Sequence, residues 1–157
     1  MPTARYQHPE AIVSGEWLEA HLGDPGLRVY DCTFHLVYEE GTGQPYHVVS
    51  GREDYDGGHI PGSGFLDLQA DFSRSDSPFH FTLKSPEAVK AAFEAAGVGD
   101  DTRVVLYARK NMTRATRFWW MLRWLGFDKA ALLDGGWDAW AAEGRPVSTA
   151  AASYPPG

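Results

Sequence analysis

Apolar residues recur along the chain in short runs and in longer helical stripes. LRVYDC at 27–32 alternates between apolar and polar positions, whereas RVVLY at 103–107 and ALLD at 131–134 are apolar runs typical of strands buried on both faces. A helical segment near 113–125, ended by Gly126, separates the last two runs. This order of strand, helix and strand predicts a βαβ unit with parallel strands.

Two further segments carry the start and stop signals of helices. Ser85 and Pro86 precede the stripe EAVKAAFEAA, and Gly97 follows it, which is the order expected of an N-cap, a first helical residue and a C-terminal stop. Ser14 starts a similar segment that ends near His21. The alternation of strands and helices predicts an α/β domain with a mostly parallel central sheet and helices on both faces. Ligands of such domains bind beyond the carboxyl ends of the strands.

The segment between the first two strands has a different character. Residues 33–58 are polar, rich in Gly and Tyr, and without sustained periodicity, so they predict a long surface excursion with at most a short helix near 51–55. The chain ends in STAAASYPPG, a small, Pro-rich segment. We therefore expect one domain over residues 1–147 and a linker or tail over 148–157.

Charge and cysteine content narrow the function classes. The net charge of −7 does not favour a nucleic-acid or anionic-membrane surface. The single cysteine cannot form an internal disulfide or a thiolate metal site, and no long apolar stretch or leader is visible. We expect a cytoplasmic protein that binds neither membrane nor nucleic acid. The six histidines lack metal-ligand spacing, so no metal site is expected.

Three motifs point to a known family. YDGGHIPGSGF at 55–65 resembles the N-terminal signature of rhodanese-like sulfurtransferases, and LLDGGWDAW at 132–140 resembles their C-terminal signature. Between them, YARKNMTRATRFWWMLRWLGF occupies the place of the active-site loop and the helix that follows it. The resemblance extends roughly from Val13 to Val147. It implies a rhodanese-like fold and transfer of sulfur from thiosulfate or 3-mercaptopyruvate to cyanide or a thiol, without a cofactor.

One departure from the family pattern bears on function. Active members carry a loop cysteine that holds the transferred sulfur as a persulfide, and Ala108 stands at that position here. A methyl group cannot supply the thiolate that this chemistry needs. The only thiol of the chain, Cys32, ends a strand and is expected to be a buried hydrophobe. The isolated chain is therefore expected to be inactive.

The FWWMLRWLGF segment also resembles the N-terminal half of tandem thiosulfate and 3-mercaptopyruvate sulfurtransferases, in which only the second domain carries the cysteine. This resemblance implies two partners, a second, catalytic rhodanese domain and small anionic sulfur compounds. The matching positions that could face the cleft between the domains are Phe34, Thr113 and Arg114.

Arg109 and Lys110 add positive charge to the loop, so an anion site could survive without its nucleophile, or the loop could be only a solvated connection. The length of the loop predicts that a side chain at 108 lies below several N–H groups and near the N-terminus of the following helix. A cysteine placed there is therefore expected to have a lowered pKa, helped by Arg109, Lys110 and Arg114 if their side chains turn inward.

Two alternatives stay open at this stage. The chain could be a stand-alone regulatory module whose loop holds an anionic ligand or an acidic peptide without turnover. It could also be a single-domain sulfurtransferase in which the cysteine has been replaced by alanine. Asp31 and His59 are expected to be structural groups that organise nearby loops and turns.

Overall fold

A parallel sheet forms the centre of the protein. The structure is a computed structural model, and it describes residues 11–37, 47–74, 82–110, 112–150 and 152–156. Five parallel strands follow the order β1-β7-β6-β2-β5, and a separate antiparallel ribbon pairs β3 with β4. In chain order the strands are β1 (Ile12–Val13), β2 (Leu27–Asp31), β3 (Phe34–Val37), β4 (His47–Ser50), β5 (Gly64–Phe65), β6 (Arg103–Tyr107) and β7 (Ala130–Leu133).

Helices cover both faces of this sheet, as the sequence predicts. The helices are α1 (Gly15–His21), α2 (Arg52–Gly57), α3 (Leu68–Asp71), α4 (Pro86–Ala96), α5 (Thr113–Trp124) and α6 (Gly136–Ala142). Successive residues of β6 point to opposite faces. Val104 and Leu106 join a core with α3, α4 and α5, while Val105 and Tyr107 join a second core with α1 and α6. The apolar run of β6 is therefore buried on both sides.

The helix signals in the sequence correspond to real caps. The Ser85 hydroxyl accepts a hydrogen bond from the Ala88 N–H at 3.3 Å, and Pro86 opens α4. Gly97 ends α4 with φ 111°, in the left-handed region that favours glycine. The apolar helix α5 is not buried all round, because Trp120 and Trp124 are 45% and 41% exposed and their rings stack on each other.

The ribbon of β3 and β4 lies within the segment that the sequence predicts as a surface excursion. Phe34 pairs with Ser50 and Val37 with His47. The short helix expected near 51–55 is present as α2. Residues 38–46, which belong to the same predicted excursion, lie outside the described residues.

The C-terminal tail packs against the domain, although the sequence suggests a linker. Ser148 and His59 exchange two backbone hydrogen bonds of 2.8 Å. Further on, the Tyr154 hydroxyl accepts the Val29 N–H at 2.9 Å and donates to the Gly62 carbonyl at 2.7 Å. Val29 lies in the middle of β2, beyond the end of its short pairing with β5. Tyr154 therefore satisfies backbone groups that the sheet leaves open, and the folded unit extends past residue 147.

Candidate functional site

The loop that follows β6 begins at a buried alanine. Ala108 is 1% exposed and belongs to the core that β6 shares with α5. Its carbonyl accepts a hydrogen bond from the Trp137 N–H at 3.1 Å, which ties the loop to the first turn of α6. The position lies at the carboxyl end of a central strand, where the sequence predicts the site. The side chain there has no group that can act as a nucleophile.

Arg109 points its charge toward backbone carbonyls of the domain. Its guanidinium donates to the Asp54 carbonyl at 2.9 Å and to the Gly58 carbonyl, and it lies 4.3 Å over the ring of Trp137. Its N–H donates to the Thr33 hydroxyl at 3.0 Å. The sequence leaves open whether this cation turns inward toward a loop anion; in the structure its guanidinium contacts two carbonyl oxygens and an aromatic face instead.

Lys110 occupies an unusual backbone conformation beside an acidic side chain. Its φ is 62°, in the left-handed region that lysine seldom adopts. The Lys110 N–H donates to a carboxylate oxygen of Asp138 at 3.0 Å. The next loop residue, Asn111, lies outside the described residues. A second N–H of the loop thus has a protein acceptor, and the sequence-based expectation of free N–H groups fails at both Arg109 and Lys110.

The other candidate residues meet at the start of α5. Arg114 lies 4.3 Å over the ring of Phe34 and donates from Nε to the Phe34 carbonyl at 3.4 Å. Thr113 is exposed beside it, and its hydroxyl accepts from Arg114 at 3.3 Å. Phe34 and Arg114 also line a shallow pocket of about 210 Å³ with Leu36, Leu68 and Arg117. The structure brings Phe34, Thr113 and Arg114 together, while Arg109 and Lys110 serve the loop itself.

A buried carboxyl group organises the two loops beneath this site. Asp31 is fully buried, and its Oδ1 accepts from the Thr33 N–H at 2.9 Å and from the Thr33 hydroxyl at 2.6 Å. Because that hydroxyl also accepts the Arg109 N–H, Asp31 holds the loop after β6 through Thr33. Burial raises the pKa of Asp31, although the hydrogen bonds from Thr33 and the charge of Arg109 act in the opposite direction. This is the organising role that the sequence suggests.

The only thiol of the chain is not placed for catalysis. Cys32 is fully buried in the same core as Ala108. Burial, and then the nearby charge of Asp31, raises the pKa of the Cys32 thiol well above its ordinary value. The thiolate needed for sulfur chemistry is therefore disfavoured, as expected for a structural cysteine.

His59 has the surroundings of a structural side chain. His59 is buried, bonds to the Tyr55 carbonyl through Nδ1 at 2.8 Å and stacks on the Tyr55 ring. No group of three His, Cys, Asp or Glu side chains in the described ranges could hold a metal ion. Among the same residues, no helix has the length and apolarity needed to cross a membrane.

Three residues that shape the loop escape prediction from the sequence. Thr33 lies just after β2, beyond Cys32, and Trp137 and Asp138 lie within the LLDGGWDAW motif. The motif is a signal that this segment matters, but its spacing does not show which side chain reaches the loop. Contacts across 28 residues, as between Lys110 and Asp138, depend on how α6 packs against β6.

The protein is an α/β domain in which a short loop connects the central strand β6 to the start of α5. Residues 14–143 match the Rhodanese-like domain. The chain belongs to this family.

Relatives and solved structures agree with that assignment. The chain is 36% identical over 152 residues to the sulfur carrier protein TtuD of Thermus thermophilus, covering 97% of this chain and 47% of that protein. It is 32% identical over 146 residues to 3-mercaptopyruvate sulfurtransferase of Escherichia coli, covering 93% and 49%. The crystal structure of SseA from Escherichia coli, described as a rhodanese-fold enzyme of the 3-mercaptopyruvate class, superposes with a TM-score of 0.73 at 31% identity, covering 94% and 54%.

Sulfur transfer is thus the chemistry of the family, and the chain spans about half the length of the curated relatives it matches.

Proposed function

We propose that this chain is the non-catalytic half of a two-domain sulfurtransferase whose second rhodanese domain carries the reactive cysteine. The observation that carries the proposal is the buried Ala108 at the head of the loop, in a chain half as long as its relatives. The raised pKa of Cys32 supports it, because no other thiol is present to take over.

The proposed reaction takes place on the partner domain. A cysteine thiolate there attacks the outer sulfur of thiosulfate, the S–S bond of thiosulfate breaks, and sulfite leaves with the electron pair. The persulfide then passes its terminal sulfur to cyanide or a thiol, and the thiolate is regenerated. No metal or organic cofactor enters these steps. Because the chemistry uses thiols, we place the protein in the reducing cytoplasm.

The contribution of this chain to that reaction is one wall of the cleft. Phe34, Thr113 and Arg114 adjoin one another at the end of the sheet. The Arg114 guanidinium is held against Phe34 and remains partly exposed, so it can face a small anionic sulfur compound bound to the partner. A fixed cation of this kind favours an anionic substrate without taking part in bond making.

The test compares thiocyanate formation by three preparations. The isolated chain is expected to produce no thiocyanate from thiosulfate and cyanide above the uncatalysed rate, whereas the natural protein with its second domain is expected to be active. In that longer protein, Arg114→Ala should lower kcat/KM by about tenfold, or about 1.4 kcal/mol. Activity of the isolated chain would contradict the proposal.

Arg123→Ala is the matched control for the cleft. Arg123 lies on the same helix and also stacks on an aromatic ring, at 4.9 Å from the centre of Trp119, but it belongs to the last turn of α5. Its replacement should leave kcat/KM unchanged. Equal losses for the two arginines would show that Arg114 acts through the stability of α5 and not through the cleft.

A further inference from the structure

Two backbone donors at the start of the loop already have partners of different charge. The Arg109 N–H meets a neutral hydroxyl, that of Thr33, while the Lys110 N–H meets a carboxylate oxygen of Asp138 at 3.0 Å. Hydrogen bonds to an ionised acceptor are stronger than those to a neutral one. The carboxylate therefore occupies the position beside Lys110 that an external anion would need.

The close packing of α6 against the loop brings the Asp138 carboxylate to the Lys110 N–H. Gly136 opens α6 with φ 57°, and a Cβ there would lie 2.6 Å from the Ala108 carbonyl oxygen and 2.8 Å from the Met112 sulfur. Only a glycine allows so close an approach. Trp137 then bonds to Ala108, and Asp138 reaches Lys110. Two successive residues of α6, Trp137 and Asp138, thus bond to two residues of the loop, Ala108 and Lys110.

The guanidinium of the neighbouring Arg109 already has protein partners. The guanidinium of Arg109 is held by the Asp54 and Gly58 carbonyls and by the ring of Trp137. It is therefore not available to draw an external anion into the loop against the charge of Asp138. Lys110 adopts a left-handed backbone conformation, which is unfavourable for a residue with a side chain, and its N–H bonds to Asp138 in that conformation.

We propose that Asp138 is the resident anion of this loop and keeps it closed to small external anions such as thiosulfate. The carboxylate of Asp138 occupies the acceptor position beside the Lys110 N–H, and this contact does not depend on a second domain. The inference therefore stands or falls separately from the proposed role of the chain in a tandem enzyme.

The experiment follows the Lys110 amide by NMR in the isolated chain. In the wild-type protein this amide should be protected from hydrogen exchange and should not shift during a thiosulfate titration, with sodium chloride as the ionic-strength reference. In Asp138→Ala its exchange should be about tenfold faster, as expected for loss of one charge-assisted hydrogen bond, and the amide should shift saturably with thiosulfate.

Asp134→Ala is the control, since Asp134 is an exposed acid just before α6 whose removal changes the net charge equally. It should behave like the wild type. Asp138→Asn preserves the shape of the side chain and is the variant to use if Asp138→Ala unfolds. The Lys110 backbone amide of this variant should also shift with thiosulfate. A saturable response of the wild-type amide, or no response in the folded Asp138 variants, would overturn the proposal.

Discussion

Replacing Ala108 with cysteine tests whether the loop can still activate a thiol. From loop length alone, the N–H groups and cations of an active loop would lower the pKa of such a thiol. The structure reverses that expectation, because the Arg109 and Lys110 N–H groups are taken and the Arg109 guanidinium faces carbonyls. We predict that the Ala108→Cys thiol has a pKa above the ordinary value of about 8.5.

The buried thiol of Cys32 indicates the direction in which the pKa of a thiol at position 108 should change. Cys32 shares the buried core of Ala108, and burial dominates its raised pKa. Position 108 is 1% exposed, so burial also disfavours ionisation of a thiol there. An increase of only one unit, or about 1.4 kcal/mol, would reduce the thiolate fraction at pH 7.5 from about one-tenth to about one-hundredth. Alkylation near neutral pH should slow by about tenfold on this account alone.

The assay is the pH dependence of iodoacetamide alkylation in a Cys32→Ser background, so that one thiol reports. The midpoint of the profile measures the pKa, whereas limited access lowers the rate at every pH. Thr113→Cys in the same background is the control, since Thr113 is exposed in the first turn of α5. Its midpoint should lie at or below about 8.5. A midpoint for the thiol at 108 below that of the control would refute the account of a filled loop.

Two further predictions concern stability. Tyr154→Phe leaves the Val29 N–H without its acceptor and should lower the free energy of unfolding in urea by about 1–3 kcal/mol. Ser153→Ala, at an exposed neighbouring position, is the control and should change it little. Equal effects of the two substitutions would contradict the packing of the tail against the domain. The raised pKa of Asp31 means that its favourable contribution is complete below about pH 4 and is lost as the pH rises through the folded-state pKa. As the pH rises through this range, the Asp31→Asn variant should therefore become more stable relative to the wild type. If the difference in free energy of unfolding between the two proteins does not change with pH, the raised pKa of Asp31 is contradicted.

The parts of the fold that local pattern determines were predictable. The apolar runs of β6 and β7 and the caps of α4 depend on neighbouring residues, and the structure has all of them. The βαβ order also located the candidate loop at the carboxyl end of a central strand. Family membership followed from motif spacing in the same way, since the three motifs keep their order and separation.

The parts that depend on distant contacts were not predictable. Tyr154 bonds to a strand residue 125 positions away, so a Pro-rich tail that resembles a linker is part of the folded unit. The ribbon of β3 and β4 lacks strong apolar alternation because much of it is exposed or half-buried. The proposal of a closed loop rests on Asp138, whose contact with Lys110 depends on the packing of α6.

The central claim is that this chain supports sulfur transfer without carrying the sulfur. Its most direct test is peptide mass spectrometry of the natural protein with both domains after incubation with thiosulfate and before any acceptor is added. The account predicts one added sulfur atom on a cysteine outside residues 1–157 and none on Cys32. A stoichiometric persulfide on Cys32 would contradict it.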